Sequence, residues 1–173
     1  MEHSAYHVDL LDKDGRVVGK KLRRDVDKLR DIYHSVHVLL VTPRGELILG
    51  VIPAREDLPN LYPRKLSSTI ATIRRTNETA ERAAKRALGR ELFIEEGDIK
   101  LLGEKMFKLP EQPKYITAYC IVANPPTSFS VLDIDTLAVV TANEMRSLVK
   151  NTPDYLAPTL KIIWQEFGHK LPI

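Results

Sequence analysis

One helix-forming segment of the chain carries a carboxylate on an otherwise apolar face. Glu91 follows Ala84, Ala87 and Leu88 by three to seven residues, which places these side chains on the same side of a helix. A carboxylate in that setting is costly unless it pairs with a cation or binds a metal. Glu91 is therefore either a residual metal ligand or base, or one half of a structural salt bridge to Arg74, Arg75 or Arg90.

The same part of the chain is unusually basic. Its cations are Arg74, Arg75, Arg82, Lys85, Arg86 and Arg90. Arg82, Arg86 and Arg90 are four residues apart and line one edge of the helix. Because arginine binds phosphate through two hydrogen bonds without a metal, the pattern is compatible with an anion site that uses Arg74, Arg75 and Arg90. The alternative is a solvated, salt-bridged helix face.

The stretch YPRKLSSTIATIRRTNETAERAAKRALGRELFI, residues 62–94, resembles the Nudix box, G-x5-E-x7-R-E-U-x-E-E-x-G-U, where U is bulky and apolar. Glu78 and Arg86 have the spacing of the box, Leu88 and Ile94 fill its apolar positions, and Glu91 stands at its last glutamate. Upstream, GRVVGKKLRRDVDKLRDIYHSVHVLLVTPRGELIL is similar to one branch of the Nudix superfamily. That branch contains the isopentenyl-diphosphate isomerases and their hydrolase relatives.

The resemblance implies an α/β fold, a Nudix-like α/β/α sandwich with a mixed β-sheet, as one domain over residues 1–173. It implies a pyrophosphohydrolase that acts with Mg²⁺ or Mn²⁺ on a phosphorylated small molecule such as a nucleotide. The catalytic residues would be Glu91, Glu78 and Arg86, with Glu91 as a metal ligand. Glu78 and Arg86 would also pair with each other and brace the loop before the helix.

Four positions depart from the box. Thr72 and Phe93 stand at its glycines, and Ala87 and Arg90 stand at two of its glutamates. Mg²⁺ requires a near-octahedral shell of oxygen ligands, and glutamates one helical turn apart converge on one ion. One carboxylate remains here, and the arginine beside it repels a metal. We therefore predict that the degenerate box has weakened or lost Mg²⁺-dependent hydrolysis of nucleoside-diphosphate-linked or related pyrophosphates.

Three functions stay open on these residues. The first is a weak hydrolase in which Glu91 is joined by further carboxylates, with Glu78, Glu81 and Glu111 as candidates. The second is a non-catalytic phosphoryl-ligand binder, and the third is a protein-interaction scaffold. The isomerase reaction is not expected, because Ala71 and Ile73 stand where the isomerases carry a cysteine and a metal-binding histidine.

Other candidate residues favour structural roles. A second register of the box, through Glu95 and Glu96, loses the match at Glu78, so these two carboxylates are expected in a solvated loop. His34 and His37 are three residues apart in or beside a strand, and they cannot easily share a metal. Cys120 is in phase with the apolar residues of its own strand, which predicts a buried core thiol.

The remaining patterns predict the elements that must position this segment. A hairpin and a short charged helix or turn at 25–31 occupy residues 1–34, and a long helix spans Thr79 to Leu92. Strands are predicted at Ser35–Thr42, Leu47–Val51, Ser67–Ile73, 100–107, 115–122 and Leu137–Val140. Thr141 and Glu144 have capping-box spacing, and a C-terminal helix is predicted over residues 158–173 from Pro158.

The composition sets the class of protein. The 173 residues are 43% hydrophobic, with a net charge of +3 and a single cysteine. We expect one cytoplasmic domain without a membrane span and do not expect a nucleic-acid partner. A homo-oligomer is compatible with the sequence. Substrate specificity is expected from the loops at 52–66 and 108–114, which flank the expected cleft.

Overall fold

A mixed β-sheet forms the centre of the protein, whose computed structural model describes residues 5–56, 60–109 and 112–173. Within these ranges the sheet has seven strands. They are β3 (His34–Val41), β4 (Leu47–Val51), β5 (Leu66–Ser67), β6 (Ile70–Ile73), β7 (Ile99–Phe107), β8 (Lys114–Val122) and β9 (Leu137–Val140). The predicted N-terminal hairpin is present as a separate pair, β1 (His7–Leu11) and β2 (Val17–Leu22).

Helices cover both faces of the sheet. They are α1 (Ala80–Leu92), α2 (Ala142–Asn151) and α3 (Pro158–Phe167). Strand β3 lies at the centre of the sheet, because its residues are apolar on both faces. It runs parallel to β8 and antiparallel to β4 and β6. Val36, Val38 and Leu40 pack with α1, whereas Leu39 and Val41 pack with α2 and α3. The predicted α/β/α sandwich with a mixed sheet is confirmed.

The helix ends follow local sequence signals. The Thr79 hydroxyl accepts a hydrogen bond from the N–H of Arg82 and caps α1. Thr141 and Glu144 form the predicted capping box of α2, and Pro158 occupies the first turn of α3. Among the helices in the described parts of the chain, none has the length and apolar character needed to span a bilayer.

The short charged helix or turn predicted at 25–31 is present as a turn at 28–30, which follows a single 3₁₀ turn at Arg23–Asp25. Two predicted boundaries are wrong. The strand predicted at Ser67–Ile73 is split into β5 and β6, which pair with different neighbours. The C-terminal helix ends at Phe167 rather than at residue 173, and a 3₁₀ turn follows at Gly168–Lys170.

The split between β5 and β6 opens the sheet between β3 and β4. These two strands pair only at Leu40 with Ile48 and at Val41 with Leu47. Beyond that point Thr69 fills the gap: its hydroxyl accepts from the Leu40 N–H at 2.8 Å and donates to the Ile48 carbonyl. The divergence of the two strands leaves a cleft at this end of the sheet.

Candidate functional site

The cleft has a volume of about 480 Å³ and is lined by residues from many parts of the chain. They include the end of β4, the β5–β6 segment, the C-terminal turn of α1, the segment after β2, the start of β8 and the loop at 132–134. Two charged groups stand out among the lining residues. We call Arg90, Glu91 and Asp133 the helix wall, and Arg23, Lys28 and Lys114 the cationic wall.

The helix wall is an ion-pair cluster. The guanidinium of Arg90 donates to the Glu91 carboxylate at 2.6 Å and lies 3.9 Å from a carboxylate oxygen of Asp133. Asp133 is held in place because the Ser130 N–H donates to the Glu91 carbonyl at 2.7 Å and the Ser130 hydroxyl donates to Asp133 at 2.7 Å. The arginine therefore serves both carboxylates as their counter-ion.

Burial governs the charge of Glu91. Only 4% of its surface is exposed. Burial raises the pKa of Glu91 to about 7, against the lowering effect of Arg90 and with a further rise from the charge of Asp133. At neutral pH this carboxyl is thus divided between its neutral and ionised forms. Of the two hypotheses for Glu91, the contacts are those of the salt bridge, with Arg90 as the partner.

Glu78 and Arg86 form the pair that the sequence predicts. The Arg86 Nε donates to Glu78 at 2.7 Å, and a terminal nitrogen donates to the same carboxylate at 3.0 Å and to the Ile73 carbonyl at 3.1 Å. The Arg75 N–H adds a third bond to Glu78 at 2.9 Å. Burial raises the pKa of Glu78, but its bonds from Arg86 and Arg75 outweigh that effect and lower it. The pair ties β6 and the following loop to α1.

The other arginines of the segment do not form one anion-binding edge. Arg74 pairs with Asp9 of the hairpin at 3.5 Å, and Arg75 stacks over the Tyr6 ring at 4.2 Å from its centroid. Arg82 is exposed. Of the three arginines that line the predicted helix edge, two are held by carboxylates, and only Arg90 reaches the cleft.

The cationic wall was not predicted as a cluster, although Lys114 belongs to the loop at 108–114 that was expected to flank the cleft. Lys28 lies in the turn after the 3₁₀ helix that contains Arg23, and Lys114 begins β8. Burial lowers the pKa of Lys28, and the charges of Arg23 and Lys114 lower it further. Lysines and arginines are common on surfaces, and no local spacing marks these three, so only the fold reveals that they share one cleft.

The histidines and the cysteine make local contacts. His34 bonds to Thr117, and His37 bonds to Ser68 at 3.0 Å in the cleft. Burial lowers the pKa of His34 to about 4 and that of His37 to about 3, so both are neutral at physiological pH. Cys120 is a buried core thiol, as predicted, and burial raises its pKa to about 11.

The comparison with known proteins rests on structure. No protein-family model matches the chain, and no curated protein matches its sequence. The protein DR0079 from Deinococcus radiodurans superposes with a TM-score of 0.77 at 17% identity, over 93% of this chain and 99% of its own. A solution structure of DR0079, described as a hypothetical Nudix protein, matches with a TM-score of 0.54 at 20% identity, over 95% and 96% of the two chains.

Two named hydrolases superpose over less of the chain. A Nudix hydrolase from Nitrosomonas europaea has a TM-score of 0.54 at 13% identity, over 80% of this chain and 89% of its own. A C. elegans Ap4A hydrolase has a TM-score of 0.54 at 12% identity, over 79% and 96%. This chain has the Nudix fold.

The Nudix fold implies a divalent metal, but the donor groups around Glu91 do not fit one. Among the residues that the structure describes, no three histidine, cysteine, aspartate or glutamate side chains are grouped so that they could hold a metal ion. Of the further carboxylates considered, Glu78 is held by Arg86, and Glu81 pairs with Lys85 on the exposed face of α1. Glu111 lies outside the described residues.

The residues that were interpreted as departures from the Nudix box have the following surroundings in the structure. Ala87 is fully buried and packs in the core between α1 and the sheet. Phe93 ends α1 in the left-handed conformation with φ of 57°, a position that favours glycine. The Thr72 hydroxyl lies 3.4 Å from Arg86. Glu95 and Glu96, the carboxylates of the second register, are exposed after the helix.

The loops expected to set specificity reach the cleft in their described parts. Ile52, Pro53, Asn60 and Tyr62 line it from the first loop, and Lys114 lines it from the end of the second. Residues 57–59 and 110–111 of these loops lie outside the described residues.

Proposed function

We propose that this chain binds a phosphorylated small molecule, a nucleoside-diphosphate-linked or related pyrophosphate compound, and that metal-dependent hydrolysis is weak or lost. The observation that carries the proposal is the position of the Arg90 guanidinium, between the carboxylates of Glu91 and Asp133. A divalent ion bound to those carboxylates would have to displace this cation or lie against it.

The protonation of Glu91 argues in the same direction. Mg²⁺ binds ionised carboxylate oxygens, and a carboxyl with a pKa of about 7 is partly protonated at neutral pH. Metal binding there would have to release a proton and break the bond from Arg90. Both requirements weaken the affinity for Mg²⁺ or Mn²⁺.

The cleft itself supports binding of an anion. Arginine and lysine hold phosphate groups without a metal, and the cationic wall supplies three such side chains. Related folds occur in proteins named as hydrolases, including an Ap4A hydrolase and a Nudix hydrolase. A phosphorylated ligand in this cleft is therefore compatible both with the charge of the site and with the structural neighbours.

A panel of nucleotide sugars and nucleoside triphosphates tests the proposal. We expect some of them to raise the melting temperature in the presence of a chelator, with little or no product after incubation with Mg²⁺ or Mn²⁺. Ready turnover that is lost in Glu91→Gln and kept in the exposed-loop control Glu96→Gln would contradict the loss of hydrolysis. If no phosphorylated compound binds, the phosphoryl-ligand proposal fails and a protein-interaction scaffold is favoured.

A further inference from the structure

The carboxylates nearest in sequence to Arg23 and Lys28 do not neutralise these two cations of the cationic wall. Three carboxylates lie close in sequence to Arg23 and Lys28, but each of them forms an ion pair with a different lysine or arginine. The pairs are Lys21 with Asp31 at 2.8 Å, Arg24 with Asp25 at 3.9 Å, and Arg30 with Asp27 at 3.8 Å.

Arg23 and Lys28 remain without a counter-ion in the parts of the chain that the structure describes. Neither side chain makes a hydrogen bond or an ion pair there, and both line the cleft. Lys28 is additionally close enough to Arg23 and Lys114 for their charges to lower its pKa, beside the larger effect of its burial. Cations held together in a partly buried site repel each other unless an anion joins them.

A second cavity opens from the same place. It has a volume of about 180 Å³ and shares Lys28 and Lys114 with the cleft. The rest of its lining is largely apolar: Leu29, Leu61, Tyr62, Leu109 and Pro158. A cavity of about 150 Å³ with aliphatic walls holds a benzene ring, so this side pocket has room for one ring-sized group. Leu29 and Leu61 are 63% and 41% exposed, which leaves apolar surface for such a group to cover.

From this juxtaposition we infer that the ligand is a phosphate or diphosphate ester with a ring-sized apolar or aromatic group. Its anionic group binds Arg23, Lys28 and Lys114, and its apolar group enters the side pocket. The inference rests on the proposed function and specifies the class of ligand for that site. It places recognition on the cationic wall, away from the neutralised carboxylates of the helix wall.

Inorganic phosphate and phenyl phosphate test the two halves of the inference separately, by calorimetry with chelator present. The wild type is expected to bind phenyl phosphate at least about tenfold more tightly than inorganic phosphate, since burial of a ring adds to the same anion contact. The double variant Arg23→Gln/Lys28→Gln should weaken binding of both probes at least about tenfold. Leu29→Ser/Leu61→Ser should remove the preference for phenyl phosphate and leave inorganic phosphate unchanged.

The controls separate this inference from the proposed function. Lys20→Gln, on the exposed strand β2, should bind like the wild type. Unliganded Arg23→Gln/Lys28→Gln should melt no lower than the wild type, and the single variants repeat the test if the double variant does not fold. Two results would show that the inference is wrong while the proposed function survives. In both of them a nucleotide from the panel binds, and either the substitutions leave probe binding unchanged or neither probe binds. If neither the probes nor the panel bind, both are wrong.

Discussion

The two walls of the cleft differ in their charges: the helix wall combines a cation with two carboxylates, whereas the cationic wall brings three cations together. On the helix wall, Arg90 lies against Glu91 and within 3.9 Å of Asp133, so positive and negative groups neutralise each other. On the cationic wall, the charges of Arg23 and Lys114 act on Lys28 and lower its pKa, in addition to the effect of burial. The helix wall therefore has internal ion pairs, whereas Arg23 and Lys28 of the cationic wall have no counter-ion in the described parts of the chain.

Charged residues at the positions of the box differ from those outside it in their internal partners. Glu91 and Arg86 stand at positions that match the box, yet each is held by an internal partner. Lys28 lies outside the box and has no internal ion pair among the described residues. The ion pairs of α1 are therefore expected to contribute to stability, and the cationic wall is the proposed place of ligand binding.

The largest expected effect is at the Glu78–Arg86 ion pair, which ties β6 and the following loop to α1. Arg86→Ala should lower the free energy of unfolding by about 3 kcal/mol, because it leaves the Glu78 carboxylate, only 13% exposed, without its main partner. Chemical denaturation measures this, and the double variant Glu78→Ala/Arg86→Ala should lose less than the sum of the single variants. A loss below about 1 kcal/mol for Arg86→Ala would show that the pair does not brace the fold.

The next effect is a pH dependence that originates at Glu91. Its pKa rises from 4.5 to about 7 on folding, so its contribution to stability is fully present below the unfolded value and is lost as pH rises through about 7. Between about pH 4 and about pH 8, the wild type should therefore lose on the order of 2–3 kcal/mol relative to Glu91→Gln. Denaturant titrations of both proteins across this range measure the difference. Parallel curves for the two proteins would mean that Glu91 does not titrate near neutrality.

The smallest effect contrasts two lysines. Lys28→Gln should raise the stability of the unliganded protein by about 0.5 kcal/mol at low salt, because repulsion from Arg23 and Lys114 is relieved. The same substitution at Lys85 should lower stability by about 0.3 kcal/mol, because it removes the exposed pair with Glu81. Melting curves at low and high salt measure both, and salt should reduce both differences. A change of stability with the same sign in both variants would contradict the repulsion of Lys28 by Arg23 and Lys114.

Local patterns predicted most of the fold. The apolar run of β3, the capping box at Thr141 and the proline at 158 each act within a few residues, so the sequence reveals them directly. The break between β5 and β6 could not be predicted, because it depends on the Thr69 hydroxyl bridging β3 and β4 at Leu40 and Ile48, which precede it by 29 and 21 residues.

The candidate site was predicted only where its residues lie on one helix. The spacing of Glu78 and Arg86 predicted their pair, and Arg90 was one of three partners proposed for Glu91. Asp133, Arg23 and Lys28 were missed, because their proximity to the cleft comes from the packing of distant segments rather than from helical spacing. The catalytic role of Glu91, Glu78 and Arg86 remains a prediction.

Binding of Mg²⁺ to the wild type and to Arg90→Glu, followed by calorimetry, tests the neutralised helix wall most directly. We predict no binding to the wild type at millimolar Mg²⁺, and a gain of binding in Arg90→Glu, where a new carboxylate joins Glu91 and Asp133. Arg82→Glu, on the exposed side of the same helix, is the matched control and should behave like the wild type. Micromolar Mg²⁺ binding by the wild type that is lost in Glu91→Gln would contradict the account.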